Sequence, residues 1–96
     1  ELVAKGEGVY NAACAGCHQP NGQGIPGAFP AITGSTIATG AIDKHVDIVV
    51  NGKTGTAMQA FKEQLSAVDI AAVVTYQRNA LGNSVGDSVQ PNVIQK

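Results

Sequence analysis

Residues 14 to 18 read Cys-Ala-Gly-Cys-His, and no other stretch limits so strongly what this chain can fold into. Two thiols two residues apart, with an imidazole next in line, form the pattern of covalent haem attachment. Each thiol can bond one vinyl group of the porphyrin, the spacer bridges the distance between the vinyls, and the histidine rises beneath the iron. A chain that makes three bonds to a flat apolar macrocycle from one short segment has to be built around it.

The composition agrees. With 96 residues the chain makes one small domain, near the size at which a core of protein alone becomes marginal and a cofactor is often recruited. Its aromatic residues are Tyr10, Phe29, Phe61 and Tyr76, against twelve glycines and no tryptophan, so the interior is short of bulk that a macrocycle supplies. The formal charge is -1, from six basic and seven acidic residues scattered along the chain, which offers no basic face to nucleic acid. Nothing approaches the ~20 consecutive apolar residues of a membrane span, and neither a signal sequence nor an initiator methionine stands before Glu1. The chain reads as a processed or excised soluble piece and is expected to be a monomer, with any tether belonging to a parent protein.

Leu2, Gly6, Val9, Tyr10 and Ala13 recur in steps of three and four, one face of a helix running into Cys14. Gly6 lies on that face, where glycine costs helix stability, and predicts a close crossing by another helix. From Gln19 to Gly40 the pattern dissolves among Pro20, Pro26, Pro30 and glycines 22, 24, 27, 34 and 40, a loop long enough to need a surface to wrap. Ile42, Val46, Val49 and Val50 restore helical spacing, with Asp43 placed as N-cap and Gly52 as terminator. Residues 53 to 60 are irregular and hold the single methionine, Met58. Ser66 and Asp69 then form a capping pair flanked by Leu65 and Ile70, and Ile70, Val73, Val74, Gln77 and Leu81 continue one face until Gly82. Residues 84 to 96 form a polar tail without periodicity, expected on the surface or partly disordered, beyond a domain over 1–83.

His18 is the iron ligand that the thiol pair fixes in place. A ligating histidine normally has its other ring nitrogen hydrogen-bonded, and a loop carbonyl near Pro30 is the candidate partner. For the opposite face of the iron there are two candidates, Met58 and His45. A thioether favours ferrous iron and raises the potential, and Met58 sits in an irregular loop that can bend to present it. It can equally be a core filler. His45 stands one position before Val46 on a helix face that reads as solvent-exposed.

Helix, Cys-x-x-Cys-His, proline loop, middle helix, methionine loop and capped last helix together resemble the class I cytochrome c fold over nearly all of residues 1 to 83. The resemblance implies an all-α protein of three to five short helices around one covalent haem c, with His18 and Met58 as axial ligands. It implies that the Pro30 carbonyl contacts the proximal histidine, that Ile32 packs on the haem, and that Gly6 and Tyr10 cross the last helix near Val73 and Val74. The strings Gly24-Ile25-Pro26-Gly27-Ala28-Phe29-Pro30-Ala31, Asn51-Gly52-Lys53 with Gly55-Thr56-Ala57-Met58, and Val74-Thr75-Tyr76-Gln77-Arg78-Asn79 are similar to the cytochrome c domain at the C-terminus of subunit II of bacterial haem-copper (caa3-type) oxidases. Leu81 stands where many such domains carry tryptophan.

Two strong axial ligands leave no open position for substrate, so the expectation is an electron carrier rather than an enzyme. Electrons would cross at a haem edge ringed by Ala15, Gly16, Ile25, Ala28 and Ala57. The implied partners are a copper-containing oxidase domain and an electron-donating cytochrome or cytochrome bc1 complex, on the periplasmic side of the inner membrane. The weak charge asymmetry suits a tethered domain, which needs little electrostatic steering; a diffusing periplasmic cytochrome is the alternative. A thiol-disulfide protein using Cys14 and Cys17 lacks the alternating strands and helices such sites occupy. A zinc site from Cys14, Cys17, His18 and His45 would need adjacent residues as tetrahedral ligands.

Overall fold

The computed structural model describes residues 2–19, 21–25, 31–52, 58, 60–61 and 63–94. Among them it is helical without a strand: α1 (Leu2–Ala13), α2 (Ala15–His18), α3 (Thr36–Thr39), α4 (Ile42–Asn51) and α5 (Ala67–Asn79), followed by a 3₁₀ turn at Pro91–Val93. This is the all-α architecture expected.

α5 is the centre of the molecule. Ile70 through Thr75, with Gln77 and Arg78, are buried, so it is enclosed nearly all round, as only a core helix can be. Its start is as the sequence predicts: the Asp69 amide donates to Ser66 Oγ at 3.1 Å, while the Ser66 amide donates to the Asp69 carboxylate at 3.5 Å. α1 crosses α5 at Gly6, where a Cβ would fall on the Ala72 carbonyl oxygen and within 2.6 Å of Tyr76 Cβ. The close crossing predicted from Gly6 is therefore real, centred on Ala72 and Tyr76 rather than on Val73 and Val74. Beside it, the Tyr10 and Tyr76 rings pack with centroids 5.6 Å apart.

α4 begins one residue before Asp43, with Ala41 as N-cap. Asp43 instead sits in the first turn, where its charge favours the positive helix end. Gly52 closes the helix at φ 69°, its amide donating to Ile48 O at 2.9 Å. Phe61 N donates to Val49 O at 3.0 Å, which binds the chain after Met58 to this helix.

Two expectations are corrected. The long loop contains α3, nucleated by Ser35, whose Oγ accepts from Ile37 N at 3.2 Å and Ala38 N at 3.3 Å. The tail is not a surface appendage, since Val89 and Ile94 belong to the core. It is strapped along α5: Thr75 Oγ1 accepts from Val89 N at 2.9 Å, Asn79 Nδ2 donates to Asp87 O at 2.7 Å, and Arg78 makes a two-pronged bond to Asp87 with both arms at 2.9 Å. The same guanidinium donates to Gly40 O at 2.7 Å, so Arg78 joins α5, the α3–α4 connection and the tail. Its side chain is 3% exposed, and a buried cation deprived of its partner is costly. Asp87→Ala should lower unfolding stability by about 2 kcal/mol, read as a reduced guanidinium midpoint.

Asn83 closes the structure between the loop and the end of α5. Its Oδ1 accepts from Gly34 N at 2.8 Å, and its Nδ2 donates to Ile32 O at 3.1 Å and to Gln77 O at 2.9 Å.

Candidate functional site

The end of α1 and the one-turn α2 position the Cys-x-x-Cys-His segment. Cys14 stands between them as the N-cap of α2, and its sulfur-bearing side chain is buried. Its amide donates to Tyr10 O at 2.8 Å, and its carbonyl accepts from His18 N at 3.0 Å. Cys14 and His18 are therefore one helical turn apart and share a face. Beyond His18 the chain turns through Gln19 at φ 72°, a left-handed conformation uncommon outside glycine. Among the bonds that hold that turn, the Tyr10 hydroxyl donates to Gln19 O at 2.7 Å, and Gly24 N donates to His18 O at 2.9 Å. Burial is the main cause that pushes the Tyr10 phenol far above its ordinary value, so it stays a donor. Tyr10 thus does more than pack, a role its place on an apolar face did not signal.

Ile32 and Met58 are both half-buried and packed against the core. Ile32 N donates to Gly22 O at 2.6 Å, which folds the proline loop back toward α2. Pro30, Ala28 and Ala57 lie outside the described residues, as does the side chain of Cys17. Ile25 is exposed.

His45 is where the sequence reading fails. It is 2% exposed, on a buried face of α4 shared with Val46, Val49 and Val50. Its Nε2 lies 2.6 Å from Gln77 Oε1, and Nδ1 is buried without a hydrogen-bond partner among the described residues. Gln77 Nε2 in turn lies 3.9 Å from Cys14 Sγ. A signal was present: Gln77 falls on the apolar stripe of α5, and a buried amide requires a partner.

Burial is the main cause that holds the His45 imidazole below its ordinary value of 6.5, with the Arg78 charge acting in the same direction and the Gln77 amide oxygen, the Asp87 charge and the Ala38 backbone acting against it. The unfolded chain therefore takes up a proton that the folded one refuses, and stability should fall as pH drops below about 6.5 while staying flat above it. Asp69 and Asp87, held below their ordinary 3.8, act only in more acidic solution. Guanidinium titrations of the haem-loaded protein between pH 7.5 and 5.5 should show this slope, and His45→Leu should flatten it.

These residues fit a covalent haem. A buried thiol and an imidazole share one face of a pinned turn, and the Met58 thioether is packed against the same core cluster that holds Cys14. His45, by contrast, has its Nε2 turned to the Gln77 amide. Among the described residues no helix is long and apolar enough to cross a membrane.

A family model described as cytochrome c oxidase, cbb3-type, subunit III matches residues 1–76. Cytochrome c-552 of Thermus thermophilus is 36% identical over 95 residues, covering 84% of this chain and 71% of that protein. Cytochrome c4 of Azotobacter vinelandii is 33% identical over 88 residues, covering 79% of this chain and 42% of that protein. The cbb3-type cytochrome c oxidase subunit CcoP of Azospirillum brasilense is 33% identical over 84 residues, covering 81% of this chain and 28% of its own length. Among solved structures, dihydro-heme d1 dehydrogenase NirN in complex with DHE superposes with a TM-score of 0.68 over 79% of this chain and 16% of that one, at 24% identity. That last likeness is one of fold.

Proposed function

This chain belongs to the class I c-type cytochromes, in the family described as cytochrome c oxidase, cbb3-type, subunit III, and on that footing we propose that it relays electrons to the copper site of a respiratory terminal oxidase. It is an electron carrier with one covalently bound haem c, not an enzyme in itself. When bound, the haem supplies a one-electron iron couple. Cys14 and Cys17 would hold it by thioethers, His18 and Met58 would bind the iron, Pro30 would orient His18, and Ile32 would pack on the ring. Two ligands kept in both oxidation states would leave the protein little to rearrange, which suits rapid transfer.

The arrangement of α2 carries this reading: His18 is fixed at both its amide and its carbonyl, one turn from a buried Cys14. Met58 is favoured over His45 because the Nε2 of His45 is already engaged by Gln77. The oxidase as acceptor rests on the three strings similar to oxidase subunit II, on the CcoP relative and on a net charge of -1 that suits a tethered domain. The proposal puts the protein on the periplasmic side of the inner membrane, where covalent haem attachment takes place in bacteria, with a cytochrome or a cytochrome bc1 complex as electron donor. A second reading is a diffusing periplasmic shuttle, favoured by the likeness to cytochromes c-552 and c4, whose names mention no oxidase.

Stopped-flow mixing of the ferrous protein with an oxidised, copper-containing oxidase fragment tests the acceptor. Fast haem oxidation with little dependence on ionic strength is expected. No transfer to copper, alongside rapid exchange with a soluble cytochrome c, would favour the shuttle.

A further inference from the structure

His45, Gln77 and Cys14 form a buried row of polar atoms that no ligand role explains. We infer that His45 and Gln77 are positioning residues for the haem attachment, His45 holding the Gln77 amide so that its N–H points at the Cys14 sulfur and sets the potential of the iron. This rests on the haem reading above.

The direction of the row follows from hydrogen-bonding capacity. A thiol can donate or accept, but a thioether sulfur has no proton and can only accept, weakly. Once Cys14 is bonded to haem, the amide group facing it has to be the NH₂ end, as the 3.9 Å contact from Gln77 Nε2 already has it. The amide oxygen then faces His45 Nε2 at 2.6 Å, so that nitrogen carries the proton and Nδ1 is the bare one. Among the described residues Nδ1 is the buried ring atom without a hydrogen bond, a position that a lone pair tolerates better than an N–H. The Gln77 backbone is fixed as well, because its carbonyl accepts from Asn83 at 2.9 Å. All three side chains are buried, at 2%, 3% and 7% exposure for His45, Gln77 and Cys14, so water does not compete for the row.

A donor on the sulfur draws electron density from the thioether and hence from the porphyrin edge, which favours ferrous iron. Gln77→Leu removes the donor at similar volume, and Gln77→Glu keeps the acceptor for His45 while presenting oxygen to sulfur. Both should retain two thioethers by mass spectrometry and lower the midpoint potential. At the native midpoint the ferrous-to-ferric ratio should fall about twofold to fivefold, the size of one modest hydrogen bond, and further for glutamate. His45→Leu should shift it the same way by less, and His45→Gln, which can still donate to the amide oxygen, should restore it. Nitrogen NMR of the native holoprotein gives an independent reading that needs no variant: His45 protonated on Nε2 and a slowly exchanging Gln77 NH₂. Native potentials in both Gln77 variants, or His45 protonated on Nδ1, would overturn the inference while leaving the carrier intact. Absence of covalent haem from the native protein would overturn the function itself.

Discussion

Replacing Gly6 with valine should abolish the folded, haem-loaded protein. A Cβ at that position falls on the Ala72 carbonyl and within 2.6 Å of Tyr76 Cβ, and the first of these is backbone that cannot rotate away. Overpacking a core commonly costs 1–3 kcal/mol; a branched side chain forced between two backbones should cost more, roughly 4 kcal/mol or above, a large share of the stability of a domain this small. Separating α1 from α5 also displaces Tyr10, and with it the hydroxyl that pins Gln19 beside His18. Gly8 gives the matched control, because a Cβ there meets nothing within 4 Å. Gly8→Ala should raise stability by about 0.5–1 kcal/mol through helix propensity alone. Yield of covalent holoprotein and guanidinium midpoints check both, and a Gly6→Val protein as stable as the native one would contradict the crossing.

Replacing Met58 with alanine should lower the reduction potential by on the order of 0.1 V or more, because the soft sixth ligand favours ferrous iron. The weak sulfur-to-iron absorption near the red end of the ferric spectrum should vanish with it. Stability should fall by a smaller amount, since Met58 is only half-buried at the edge of the core. An unchanged spectrum and potential would move the ligand assignment away from Met58.

What the sequence made legible, and what it hid, divides along physical lines. Periodic patterns and local caps were readable because their partners lie within one helical turn: the Ser66–Asp69 box, the apolar faces of α1 and α5, and Gly6 as an unpadded crossing point. The tail was misread because its buried side chains, Val89 and Ile94, sit in non-helical chain with no period, and its anchors are polar groups of α5 eight to fourteen residues earlier, beyond the reach of one helical turn. Asp43 was a capping residue by type, but Ala41 took the position, as Ile42 begins the buried face. The most instructive failure is His45. Treated as one polar residue beside an apolar one, it looked exposed, although Gln77 already broke the apolar stripe of α5. Two polar residues on facing apolar stripes satisfy each other, and neither helix read alone reveals the pair. At the site, the spacing of Cys14, Cys17 and His18 pointed to the cofactor, whereas the backbone bonds that hold His18 depend on a φ of 72° at Gln19, which no residue type announced.

The central claim, that this chain holds one haem through two thioethers and carries electrons with it, is tested most directly by the ferrous visible spectrum of the denatured protein in alkaline pyridine. A c-type spectrum with both vinyl groups saturated, from haem that stays with the polypeptide in organic solvent, is the predicted result. Haem that extracts into the solvent, a spectrum with unsaturated vinyls, or no haem bands at all would contradict it.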